Sequence, residues 1–333
     1  MSRVFFSDII MAENAREDGI YNLIGLVLTL IFILGIFLNG VVIVIFHFLH
    51  EETKRCADLL ILSVSYCNLL HVSTYPLNIV SSFQHHWGYG TALCQMDGFW
   101  IHSLSIVSVA HLTALSFERY LTVTGRMTDR GRKLKLSLVL VCWLYGFFWG
   151  AMPLFGWSDY RLEGLLITCS ITFSSSDPGD ISFAIVAFLV DFLLPLALII
   201  GFYIAILFTV RRCNRSTEVE NASPSMTVIN GALVSDLEHK AISMVFTMVA
   251  AFILGWMPYA IVCFLTMTSE NALPPIFATL SAVVAKSSVW FFPIIYGFKH
   301  RTVKTGLGYL VNALRSTNQV SVINSSMRAS QAM

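Results

Sequence analysis

The chain has 333 residues, 56% of them hydrophobic and only 12% charged, with a formal net charge of +1. A soluble domain carries about 25% charged residues, so that composition excludes an ordinary soluble protein and makes an integral membrane protein the first reading. A net charge near zero names no partner and gives no reason to expect a nucleic acid; the informative feature is where the charges fall.

Seven intervals are almost empty of Asp, Glu, Lys and Arg: 19–50, 59–96, 98–117, 136–158, 181–210, 241–269 and 271–298. Each holds the roughly 20 apolar residues that a membrane-spanning helix needs. The expected fold class is therefore an all-α membrane protein, a seven-transmembrane helix bundle. Residues 1–20 precede the first span and contain no continuous apolar stretch of signal-peptide type, so the first span itself is expected to direct insertion. With the N-terminus outside and the C-terminus cytoplasmic, every Lys and Arg except Arg3, Arg16, Arg161 and Lys286 falls on a cytoplasmic loop or the tail. This is the distribution that the positive-inside rule requires.

Between the fifth and sixth spans, the polar stretch 213–231 reads as a flexible cytoplasmic loop. Beyond the seventh span, which closes a 21–298 transmembrane unit, residues 299–315 suit a short amphipathic helix lying along the membrane surface. The Ser/Asn-rich tail 316–333 has a disordered composition. The seven cysteines form no disulfide framework, but the topology sorts them. Only Cys94, at the start of the third span, and Cys169, in the loop after the fourth, lie on the oxidising side, and a bridge between them would pin that loop over the bundle.

Two charges interrupt the spans, Asp191 and Lys286. A lysine at the centre of a membrane helix costs about 2.5–3.5 kcal/mol on insertion scales, so it is functional by default. Desolvation disfavours an ammonium, and the neutral amine is a nucleophile whose typical reaction with a carbonyl forms a Schiff base. The plain alternative is a structural ion pair with a carboxylate on a neighbouring helix.

The residues around this lysine carry a resemblance. A-K-S-S (285–288) followed by F-P-I-I-Y (292–296), G-W-M-P-Y (255–259), E-R-Y (118–120), L-N-G-V around Asn39, and G-W-S-D-Y-R-L-E-G-L-L-I-T-C (156–169) resemble the motifs of the animal opsins, across essentially the whole chain. Opsins are the retinal-binding members of the rhodopsin-like seven-helix receptors. The resemblance implies that Lys286 holds retinal covalently as a protonated Schiff base. It further implies a Cys94–Cys169 disulfide and a pocket that includes Trp256, Tyr259 and His102, with Phe99 and Trp100 beside them; ordinary helix packing would also account for aromatics there. A buried cation needs a nearby anion. Glu163, six residues before Cys169, comes first as counterion and Asp97, one turn into the third span, close behind, while Asp191 on the fifth span suits a hydrogen-bonding or spectral-tuning role.

The same resemblance leaves two functions open. In a light-activated receptor coupled to a heterotrimeric G protein, Glu118-Arg119-Tyr120 would serve the coupling, with Glu238 at the base of the sixth span pairing with Arg119. In a photoisomerase of the retinochrome, peropsin and retinal-photoisomerase branch, light would convert all-trans-retinal to a cis isomer. C-Q-M-D-G-F-W (94–100), F-W-G-A-M-P-L-F-G-W (148–157) and K-S-S with F-P in place of N-P are most similar to that branch. Asn68 stands where the receptor pattern has an aspartate, and Phe292 where it has an asparagine, which puts conventional coupling in doubt. The expected location is a multi-pass protein of the plasma membrane or of internal photoreceptor-cell membranes.

Overall fold

In a computed structural model, the protein is described over residues 2–48, 56–126, 131–173, 177–220, 227–268, 273–300, 303–312 and 315. It is a bundle of seven helical passes. The first is α1 (Ser2–Phe48), the second α2 (Cys56–Val72) continued by α3 (Tyr75–Gln84), the third α4 (Gly90–Val123), and the fourth α5 (Gly131–Ala151). The fifth comprises α6 (Pro178–Ala187), a π-helical turn (Phe188–Leu193) and α7 (Leu194–Glu220); the sixth is α8 (Thr227–Thr268); the seventh is α9 (Pro275–Lys286) with α10 (Ser288–Lys299). Among the described residues, six passes are long and apolar enough to cross a membrane. The second, split by a turn at Ser73 and Thr74 ahead of Pro76, is not among them.

That split shows how an interrupted helix survives in an apolar surround. Proline offers no N–H, and the freed carbonyls need other donors. Ser73 Oγ donates to Leu70 O at 2.6 Å and Thr74 Oγ1 to His71 O at 3.1 Å. The seventh pass breaks at Ser287, whose N–H is shared between Val283 O and Val284 O, both at 3.1 Å. Trp290 N then bonds Ser287 O rather than Lys286 O. The carbonyl of Lys286 is taken instead by the hydroxyl of Tyr75, at 3.0 Å. Six residues on, Pro293 leaves Val289 O without its helical donor, and Asn39 Nδ2 supplies one at 3.0 Å. The same amide bonds Gly35 O at 2.8 Å, and Asn39 Oδ1 accepts from Asn68 Nδ2 at 3.1 Å. A buried polar clamp thus fastens the first, second and seventh passes where the proline weakens the last.

A two-stranded hairpin caps one end of the bundle: β1 (Tyr160–Glu163) pairs antiparallel with β2 (Thr168–Ile171), Glu163 opposite Thr168 and Leu162 opposite Cys169. Its turn uses Gly164 at φ 55°, where a Cβ would press on Pro275 O and Thr279 N at 2.9 Å, so only glycine fits. The hairpin lies directly on α4, since a Cβ at Gly98 would sit 2.6 Å from the Tyr160 ring. The main core, built around Val42, Leu60, Leu112, Met248 and Phe292, fills the opposite half of the bundle.

One expectation changes. Where a flexible loop is expected over 213–231, α7 runs on to Glu220 and α8 begins at Thr227. No Gly or Pro interrupts residues 213–220, so the backbone ladder of the apolar pass simply continues into the polar segment. At the N-terminal end, α1 starts at Ser2, and its part apolar enough to cross a membrane is Asp18–His47. Past α10, residues 303–312 are helical and bury Val303 with Leu307 and Leu310 against the core. The tail 316–333 lies outside the described residues.

Candidate functional site

Lys286 closes α9, and its side chain is buried, 5% exposed, below the hairpin. Its Nζ donates to Thr168 Oγ1 at 2.6 Å. Thr168 Oγ1 in turn donates to Asn78 Oδ1 at 3.1 Å, and Asn78 Nδ2 donates to Asp97 Oδ2 at 3.1 Å. Thr168, Asn78 and Asp97 are all nearly inaccessible. The break at Ser287, the disulfide and the hairpin register together put the amine under Thr168. Cys94 and Cys169 are joined, with Cα atoms 5.5 Å apart, which fixes the neighbouring Thr168 over α4.

Glu163 faces the same amine from the paired strand. Its Oε2 accepts from Ser170 Oγ at 2.7 Å and from Tyr259 OH at 3.0 Å. Ser170 is the diagonal cross-strand neighbour of Glu163, and Tyr259 comes from the sixth pass. Burial lifts the Glu163 carboxyl above the ordinary glutamate value; the Lys286 charge and these two hydrogen bonds pull it part of the way back. Both Glu163 and Asp97 act electrostatically on Lys286, although neither makes a direct ion pair with it among the described residues.

Lys286 and Glu163 line a cavity of about 70 Å³, together with Gly98, Ser170, Ala282 and Ala285. It adjoins a second cavity of about 260 Å³. Both share His102, Ser105, Ile171, Phe173, Trp256 and Tyr259 as walls, so the space runs from the amine toward the fifth pass with a mostly apolar surface and a few polar groups set into it. Trp256 is held by its Nε1–H, 3.2 Å from Ser288 Oγ, and stacks on Phe252. Phe99 lies outside both cavities: it packs on Trp100 and Phe147 and against the Tyr160 cluster, because the next residue along α4 toward the space is His102.

At the far end, Asp191 sits in the π-helical turn with Oδ2 3.1 Å from His102 Nε2. His102 Nδ1 is 2.8 Å from Tyr160 OH, whose own proton goes to Gly150 O at 2.7 Å. That hydroxyl must then accept, which assigns the Nδ1 proton to His102 and leaves one proton between Nε2 and Asp191.

A primary amine buried beside two carboxylates, at the mouth of an elongated apolar cavity, suits an aldehyde with a long apolar body. Comparison with known proteins bears on that fit. Residues 38–296 match the model of the 7 transmembrane receptor (rhodopsin family). The chain belongs to the rhodopsin family of seven-transmembrane receptors. It is 30% identical to melanopsin of Phodopus sungorus over 85% of this chain and 61% of that protein. It is 29% identical to a Gq-coupled rhodopsin of Mizuhopecten yessoensis over 86% of this chain and 58% of that protein. The chain therefore spans about three-fifths of the length of these relatives. Parapinopsin of Ictalurus punctatus is 27% identical over 84% of this chain and 79% of its own. The crystal structure of squid rhodopsin has the same fold, with a TM-score of 0.84, 23% identity and coverage of 89% of this chain and 87% of that one.

At the other end of this rhodopsin-family chain, Arg119 Nε lies 2.9 Å from Glu118 Oε2. Tyr120 stacks on Phe202 and accepts from Arg126 at 2.8 Å. The side chain of Glu238 lies outside the described ones, so its pairing with Arg119 does too. Thr168, Asn78, Ser170, Tyr75 and Tyr160 are site residues that the sequence reading missed. A buried amide inside an apolar pass was the available signal for Asn78. The others are ordinary hydroxyl residues whose importance comes only from the hairpin's register.

Proposed function

We propose that the chain is an opsin, a light-absorbing membrane protein that carries retinal on Lys286 as a protonated Schiff base. The observation that carries this reading is the buried Lys286 amine opening onto the apolar cavity with Glu163 beside it. In forming the linkage, the amine nitrogen replaces the aldehyde oxygen, which leaves as water. Bound retinal supplies a polyene whose double bonds twist after light absorption. The protein's own residues hold the charge, exclude water and shape the space: Glu163 is the counterion within the cavity, Asp97 a second anion behind Asn78 and Thr168, and Trp256, Tyr259 and His102 the walls that restrict which bond twists.

Within that reading, a retinal photoisomerase of the retinochrome and peropsin type is favoured, turning all-trans-retinal to a cis isomer. Asn68 on the second pass is committed to Asn39, and Phe292 on the seventh is buried in the core, so the aspartate and asparagine that signalling receptors carry on these two passes are both replaced. A G-protein-coupled photoreceptor is the second reading, favoured by the Arg119–Glu118 contact and by relatives described as Gq- and G0-coupled rhodopsins. Extraction of retinal isomers before and after illumination tests the choice. All-trans in the dark with a cis product supports the photoisomerase; a cis pigment in the dark whose illumination drives nucleotide exchange on a G protein overturns it in favour of the receptor.

A further inference from the structure

The geometry points to Thr168 and Asn78 as positioning residues that convey the charge of Asp97 to the Lys286 nitrogen. The hydrogen bonds leave little freedom in direction. A protonated amine has only protons to give, so Thr168 Oγ1 accepts from Nζ at 2.6 Å; its own proton then goes to Asn78 Oδ1 at 3.1 Å, and the Asn78 amide donates onward to Asp97 Oδ2 at 3.1 Å. Every dipole along this path has its negative end toward Lys286 and its positive end toward Asp97. A cation at Nζ and an anion at Asp97 therefore reinforce each other through it, as members of a hydrogen-bond network polarise their neighbours.

Thr168 and Asn78 have no other assigned task, and both are buried, 4% and 0% exposed. Asp97 does not line the cavity; beside its charge acting through space, the hydrogen-bonded path through Asn78 and Thr168 links it to the amine. The two acids are thus connected differently: Glu163 shares the cavity with Lys286, whereas the hydrogen-bonded link from Asp97 runs through two intermediaries. An amide is a poor proton carrier, so the path transmits polarisation while keeping the proton at the nitrogen. Its bearing on a Schiff base rests on the opsin reading; its bearing on the free amine does not.

The test uses the chromophore-free full chain in detergent. Reductive methylation by formaldehyde and a borane reductant is followed at Lys286 by peptide mapping as a function of pH, since only the neutral amine reacts. Thr168→Val, which keeps the shape and removes the acceptor, is expected to move the profile to lower pH, giving about a tenfold faster reaction near neutrality for each unit moved. Asp97→Asn is expected to move it the same way, and the double variant no further than the larger single, because both interrupt one path. Thr168→Ser restores the wild-type profile, and Glu163→Gln adds in full to Thr168→Val. An unmoved profile in Thr168→Val, or full additivity between Thr168→Val and Asp97→Asn, overturns the inference. Asn78→Leu cuts the same path and gives the same readings should Thr168→Val not fold. If the protein takes up no retinal, the opsin reading fails while the methylation profiles still decide this one.

Discussion

Glu163→Gln separates charge from shape at the centre of the site. The two donors to Oε2, Ser170 Oγ at 2.7 Å and Tyr259 OH at 3.0 Å, can both be kept by an amide oxygen, so the hairpin and the sixth pass stay in register. What is lost is the negative charge in the cavity that Lys286 also lines. With retinal bound, the proposed reading makes Glu163 and the protonated Schiff base a buried ion pair, and removing one partner of such a pair costs about 3–5 kcal/mol. Asp97 remains as a second anion acting on Lys286, which places the loss at the lower end of that range. About 3 kcal/mol corresponds to a fall of about 2 pH units in the point at which the pigment gives up its visible band. The assay is an absorbance titration of retinal-reconstituted wild type and variant. At neutral pH the variant is expected to have shifted toward the ultraviolet. An unmoved titration, with Asp97→Asn producing the large shift instead, would refute the reasoning and pass the counterion role to Asp97.

Three further outcomes are expected. In the chromophore-free protein the Glu163 carboxyl titrates above its ordinary 4.5, so between that value and the raised one the folded chain holds a proton that the unfolded chain has released. The resulting stability is full below 4.5 and is lost as pH rises through the folded value, and Glu163→Gln should flatten that slope in thermal unfolding measured from pH 4.5 toward neutrality. Removing the Cys94–Cys169 bridge by serine substitution opens a loop with a sequence separation of 75; chain entropy puts the loss at about 4 kcal/mol, visible as a lower unfolding temperature together with weaker retinal uptake. Asn39→Leu strands Val289 O and Asn68 Nδ2 at once, at about 1–3 kcal/mol for each orphaned group, and should destabilise the fold in the same assay without moving the absorption band.

The fold was legible because a membrane imposes a coarse rule. Seven charge-poor intervals of spanning length, with basic residues gathered on alternate connections, leave little choice of architecture. Lys286 was legible for the same reason: a charge in an apolar run is costly and therefore conspicuous. Asp191 stood out likewise, but its partner His102 did not, because a histidine on a helix carries no sign of which residue it will face 89 positions away. Thr168 and Asn78 were missed because their roles depend on the strand register that sets Thr168 opposite Glu163 and on the disulfide that lays the hairpin across α4. Phe99 was expected beside the pocket from its position in the chain, yet one residue of helical rotation turns it toward the fourth pass. The extension of α7 to Glu220 is not legible in composition, because a polar segment without Gly or Pro suits a loop and a continuing helix alike, and nothing in residues 213–220 stops a helix already under way.

The most direct measurement is the identity of the residue that carries the chromophore. Borohydride reduction of the retinal-reconstituted protein, followed by denaturation and peptide mapping, should find a single retinyl group on the peptide containing Lys286. A Lys286→Ala chain that still forms a stable coloured pigment with retinal, or a retinyl group fixed on any other lysine, would contradict it.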